Sequence, residues 1–251
     1  FIQCFFLFWT VFCLLTSQGA NFDSLLLHVY YTSNLIFRQA LSDGLKSFTQ
    51  ISGHPLKLPV MKIAFYDQLG PAREVLQIGD SICPEPVAGE VRVSVRWSGV
   101  NPSDVKSRRA RPLNDQHIVP HSDGAGVIEV VGEGVSSARM GERVWIWNGQ
   151  WARPLGTASE YIALPSAQAV TLPEGTDFAA GACLGIPALT AVQAVRLAGD
   201  LKDKTVLVTG ASSAVGHYIT QLVTLAGGHV IGTVGSESKA AHARAAGMKD
   251  A

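Results

Sequence analysis

Apolar and polar residues alternate through GEVRVSVRWSGV (89–100), with Val91, Val93, Val95 and Trp97 on one face and Arg92, Ser94 and Arg96 on the other. A period of two predicts a half-buried strand. The alternation returns in EVVGEGV (129–135), ERVWIWN (142–148) and SEYIALP (159–165), separated by Gly, Pro and Asp turns. Residues 61 to about 165 therefore predict a compact β-barrel of short strands. The period then lengthens, and a helix is predicted from about Asp177 to Leu197. Beyond it, the run Val206, Leu207, Val208 enters a small-residue turn, GASSAVG (210–216). The helix after that turn places Val215, Tyr218, Ile219, Leu222 and Val223 on one face, and His229–Gly235 reads as a second parallel strand. The whole predicts an α/β chain in which a barrel precedes a strand–turn–helix unit.

A strand–turn–helix of this kind aims unpaired backbone N–H groups and the positive end of the helix dipole at an anion, typically a pyrophosphate. Measured against G-x-G-x-x-G, the three glycine positions hold Ala211, Ser213 and Gly216. Only the last is kept, the one that lets helix and strand pack closely, so the turn alone is a weak signal. About 20 residues on, NAD binders carry an acid for the ribose 2′-hydroxyl. Here stand Val234, Gly235 and Ser236, with Lys239 one helical turn later. A hydroxyl and an ammonium suit a 2′-phosphate that a carboxylate would repel, which favours NADPH over NADH. Against this, Lys239 also reads as a solvated first-turn residue, and Glu237 lies close by.

Composition divides the 251 residues. Residues 1–60 hold eight of the ten Phe, only three of the 25 Gly, and two acids, Asp23 and Asp43. Residues from Met61 on resemble an ordinary Gly-rich α/β protein, which places the expected boundary there. The opening FIQCFFLFWTVFCLLTSQGA reads either as a signal-like or anchoring segment or as an upstream extension ahead of the true start. It has no starting Met or positive flank and is short for a span. No membrane segment is expected over 61–251. Charge is balanced, 20 basic against 20 acidic residues, so nothing favours nucleic acid. Cys4, Cys13, Cys83 and Cys183 show neither C-x-x-C nor framework spacing, which points to a reducing compartment and no structural zinc.

Several blocks in one order, SGVNPSDVKSR (98–108), PHSDGAGV (120–127), GERVW (141–145), GTASEY (156–161), LPEGTDFAAGACLGIPALTA (172–191) and VLVTGASSAVGHYITQ (206–221), carry a resemblance. Residues 61–251 resemble the medium-chain dehydrogenase/reductase superfamily in its zinc-independent, zeta-crystallin-like quinone oxidoreductase branch. The resemblance implies a GroES-like substrate and catalytic domain over 61–175 and a partial Rossmann NADPH-binding domain over 176–251, expected to end after its second strand and the following helix. It also implies a cytoplasmic homodimer. Zinc-dependent members place Cys, His and Cys where this chain has Asn101, Ser122 and Ile186, and these side chains supply no thiolate or imidazole. No metal is expected.

The same resemblance puts Asn101 beside the nicotinamide and Thr190 near its amide or the phosphates. It wraps Ser212, Ser213, Ala214 and Val215 around the pyrophosphate, and sets Gly235, Ser236 and Lys239 around the adenosine phosphate. Relatives often carry Tyr where this chain has Lys106, so Lys106 reads either as a replacement proton donor or as a solvated lysine in the run Lys106-Ser107-Arg108-Arg109. His121 and Cys183 read as packing residues. The implied reaction is hydride transfer from NADPH to a quinone or related conjugated carbonyl. An enoyl-thioester reductase and a non-catalytic NADPH-binding protein are the alternatives.

Overall fold

The computed structural model describes residues 58–250, in a compact unit that begins at Leu58. The readings of the apolar opening segment lie outside the described residues.

Strand β1 (Val60–Phe65) pairs antiparallel with β2 (Gln77–Ile82) across the one-turn helix α1 (Ala72–Val75). Strand β3 (Glu90–Gly99) leads into helix α2 (Pro102–Ala110) and then β4 (Asp123–Val131). Strands β5 (Arg143–Ile146), β6 (Tyr161–Pro165) and β7 (Ala169–Thr171) complete an antiparallel sheet ordered β6-β3-β4-β5-β7. Its core is Val91, Val93, Ile128, Val144, Ile146, Ile162 and Leu164, each essentially solvent-free. Burying branched residues on one face of alternating strands is the main stabilising term here.

The predicted alternation in β3 holds at Val91 and Val93 and then breaks. Val95 pairs with Gly126 but Trp97 pairs with Ala125, so Arg96 is an extra, bulged residue. A one-residue insertion reverses which face each later side chain takes. Trp97 is accordingly 57% exposed rather than buried with the valines.

The single helix expected over 177–197 is three pieces. Helix α3 (Phe178–Gly181) is followed by a π-helical turn, Leu184–Ala188, which contains Pro187, and then by α4 (Leu189–Ala198). Proline has no N–H and crowds the carbonyl four residues back, so an ordinary α-helical path through this position is disfavoured.

Strand β8 (Thr205–Val208), helix α5 (Ala214–Leu225), strand β9 (His229–Gly232) and helix α6 (Glu237–Ala245) follow as expected. A short third strand, β10 (Met248–Asp250), then pairs parallel to β9, so the described chain passes the second strand and helix at which it was expected to end. The order β10-β9-β8 is the 3-2-1 half of a dinucleotide-binding sheet. Val208, Val230 and Met248 bury one face against Val223 and Ala243, while Leu207 on the other face is 66% exposed. On α5 the buried residues are Gly216, Thr220 and Val223, with Ile219 packed beside them. The predicted stripe is thus rotated: Gly216 and Thr220 allow the helix to lie close to the sheet, and Tyr218 instead donates its hydroxyl to the Cys183 carbonyl at 3.3 Å.

Candidate functional site

The start of α2 and the π-turn converge on one carboxylate. Asp123, at the start of β4, is 1% exposed. Its Oδ2 accepts a hydrogen bond from Asn101 Nδ2 at 2.8 Å and a second from the Ile186 backbone N–H at 2.8 Å. Its Oδ1 is buried without a partner. The two ends of this bridge are the residues expected at the nicotinamide. Asn101 is the N-cap of α2 and is 7% exposed. Its backbone N–H donates to Asp104 at 2.7 Å, while its side-chain nitrogen turns to Asp123. On the other side, Thr190 Oγ1 donates to the Ile186 carbonyl at 2.6 Å. A continuous chain, Asn101–Asp123–Ile186–Thr190, therefore joins the barrel to α4.

Two glycines make room for it. A Cβ on Gly185 would overlap Asp123 Oδ1, and one on Gly99 would come within 3.0 Å of Asp123 Cβ. Thr157 Oγ1 donates to the Asp123 carbonyl at 2.6 Å and lies 2.9 Å from Ser98 Oγ. Ser98 Oγ in turn lies 2.8 Å from His121 Nδ1. His121 has φ +78°, a left-handed backbone uncommon outside glycine. His121, read as a packing residue rather than a ligand, packs here through its hydrogen bond to Ser98. Beside the bridge, Trp147, Ile186, Leu189 and Thr190 line a mainly apolar cavity of about 560 Å³.

Burial pushes the Asp123 carboxyl up to about 6, against the two hydrogen bonds that favour its charged form. Burial likewise raises Asp104 and holds His121 below the usual imidazole value. A raised folded-state carboxyl favours the folded protein when protonated. Its contribution is present below about pH 4 and lost as pH rises to about 6, a change of up to about 3 kcal/mol at about 1.4 kcal/mol per unit. His121 acts in the opposite sense, because its lowered value costs stability as pH falls below the ordinary imidazole range. Comparison with Asp123→Asn separates the two. The variant should gain stability relative to the parent as pH rises from 4 to 6, measured by urea unfolding at each pH. A constant difference across that range would remove the assignment.

The turn between β8 and α5 is closely packed. A Cβ on Gly216 would overlap the Gly210 carbonyl oxygen, so close approach demands glycine there. Ser213 is the N-cap of α5, and its Oγ accepts the Gly216 N–H at 3.1 Å. Ala214 and Val215 follow in the first turn, where N–H groups have no intrahelical partner. Ser212 lies half-buried in the turn itself. At the end of β9, Gly235, Ser236 and Lys239 are exposed together, and Lys239 Nζ lies 3.9 Å from where a Gly235 Cβ would stand. Lys106 is apart from these groups, exposed on α2. Asn101, Ser122 and Ile186, the positions of the zinc ligands in zinc-dependent members, do come together: Asn101 and Ile186 on the Asp123 bridge, and Ser122 next to it in sequence. The residue that sequence reasoning missed is Asp123. Its signal was an acid, PHSDGAGV, at the head of an otherwise apolar strand.

The alcohol dehydrogenase GroES-like domain family matches residues 87–174. A quinone oxidoreductase of Rattus norvegicus is 36% identical over 168 residues, 65% of this chain and 50% of the relative. Among solved structures, the quinone oxidoreductase of Coxiella burnetii superposes with a TM-score of 0.70 at 26% identity, covering 76% of this chain and 62% of its own. A mycobacterial protein complexed with NADPH superposes with a TM-score of 0.67 at 26% identity, covering 76% and 58%. The chain spans about half the length of the curated relatives it matches. The GroES-like match, the quinone oxidoreductase relatives and the solved structures together support the medium-chain dehydrogenase/reductase superfamily for this chain. Within it, the chain falls in the quinone oxidoreductase-like branch.

Proposed function

We propose that this chain belongs to an NADPH-dependent, zinc-independent reductase that transfers hydride to a quinone or related conjugated carbonyl. The observation that supports the reading is the Asn101–Asp123–Ile186–Thr190 chain of hydrogen bonds beside an apolar cavity, since Asn101 and Thr190 are the two residues expected at the nicotinamide. The residues fit the cofactor. Gly216 leaves the turn open, Ser212, Ser213, Ala214 and Val215 would hold the pyrophosphate, and Gly235, Ser236 and Lys239 would hold the adenosine phosphate. When bound, NADPH supplies the hydride. The protein has only to orient it and exclude water beside it.

Zinc independence rests on the chemistry of the donor set. Asn101, Ser122 and Ile186 offer an amide, a hydroxyl and a hydrocarbon where a catalytic zinc needs thiolate or imidazole. Without a Lewis acid, an acceptor that is already electrophilic suits the site better than a simple alcohol. Among the described residues no helix is long and apolar enough to cross a membrane. A cytoplasmic homodimer completes the reading.

The test is turnover by the full-length protein with NADPH and a panel of acceptors. Quinones should be reduced, simple alcohols with NADP⁺ should not be oxidised, and chelators should leave activity intact. Asn101→Ala should cost more in turnover than Lys106→Ala, since Lys106 stands exposed. A Lys106→Ala variant that binds NADPH but is inert would make Lys106 the proton donor and turn the assignment toward enoyl-thioester reduction. Tight NADPH binding with no acceptor reduced would identify a non-catalytic binder.

A further inference from the structure

Asp123 is a carboxylate buried at 1% exposure, and none of the four ion pairs among the described residues involves it. A charge so placed weakens a fold unless something else uses it. Both hydrogen bonds it accepts come to the same oxygen, one from Asn101 at the start of α2 and one from Ile186, which lines the apolar cavity. Its backbone is pinned by Thr157, and Gly99 and Gly185 are cleared around it.

We propose that Asp123 is the positioning residue of this pocket, with one carboxylate oxygen fixing the Asn101 amide and the Ile186–Thr190 turn relative to each other. The inference rests on the cofactor use proposed above and adds what holds the ring contacts in place. An ionised carboxylate only accepts hydrogen bonds, so Asn101 must present its nitrogen to Asp123, which sets the orientation of the whole amide. A protonated carboxyl can donate, and the amide is then free to turn over. The charged group that acts on Asp123 is Asp104 from α2, which itself faces Arg108 and His121. Asp123 is buried and is not among the residues that line the apolar cavity. It acts through its two partners.

The experiment uses the full chain, its Asp123→Asn variant and, as a harsher change, Asp123→Ala. In the cofactor-free parent, the Asn101 side-chain amide and the Ile186 backbone amide should shift together in NMR spectra, with one shared midpoint near pH 6. Asp123→Asn should abolish that midpoint. Phosphate contacts dominate binding, so its NADPH dissociation constant should stay within about threefold of the parent's. Emission from the bound reduced nicotinamide should change as the ring loses its fixed seat. Hydride transfer to 1,4-naphthoquinone should fall about tenfold in Asp123→Asn and further in Asp123→Ala, the conservative variant retaining more because it keeps an acceptor oxygen. If Asp123→Ala does not fold, Asp123→Asn decides. Separate or absent midpoints in the parent, or variants that match it in both nicotinamide emission and hydride transfer, overturn the positioning role. A parent that binds NADPH and co-titrates but leaves every quinone unreduced refutes the proposed reaction and supports the bridge.

Discussion

Gly185→Ala is expected to destabilise the protein by about 3 kcal/mol, although it adds a single methyl group. The new Cβ would overlap Asp123 Oδ1 and Cγ. Asp123 has nowhere to retreat, because its other oxygen is bound to both Asn101 and Ile186 and its main chain to Thr157. Relief requires breaking one of those bonds inside a site closed to water, where an unpaired polar group is expensive. Gly134→Ala is the matched control. Its φ of +80° strains an alanine by about 1–2 kcal/mol, but nothing lies within 4 Å of the added carbon. Urea midpoints of the two variants test the argument. If Gly185→Ala unfolds no earlier than Gly134→Ala, the packing around Asp123 is looser than described.

NADPH is expected to bind the parent more tightly than NADH, and Lys239→Ala should erase most of that preference, an effect of about ten- to a hundredfold. No carboxylate occupies Val234, Gly235 or Ser236, and the Lys239 ammonium folds back over Gly235. The contact is exposed, so raising salt should shrink the preference as the charge is screened. Titration of both cofactors against parent and variant at two salt concentrations gives the answer. Equal affinities in the parent would sink the assignment.

The parts of the fold legible in sequence are those set by local periodicity. Val91 and Val93 announce a strand, and Val206–Val208 with the small-residue turn announce the strand–helix unit, because repeated burial on one face writes its period into the chain. Trp97 misled because a bulge at Arg96 is a feature of pairing between two strands, and β3 alone carries no mark of it. The helix over 177–197 was legible as helical, but its π-turn was not: Pro187 signals a break without saying which kind. The exposed place of Lys239 beside Gly235 was legible because charge in the first turn of a helix after a strand is a property of residue type. The Asp123 bridge was hidden for a different reason. One of its two donors is a backbone N–H, 63 residues away, and main-chain donors leave no trace in composition.

The bridge also constrains how the molecule can move. Helix α4 carries Thr190, and a π-turn links it to the barrel, anchored at its middle residue, Ile186. Opening or closing of the cleft that swings α4 relative to the barrel therefore has a fulcrum at Ile186. Displacements grow with distance from that point toward Ala198 and shrink toward Thr190, one turn away. A swing of α4 about this point moves Ala198 the most and leaves Thr190, and with it the Asn101–Asp123–Ile186 bridge, nearly in place.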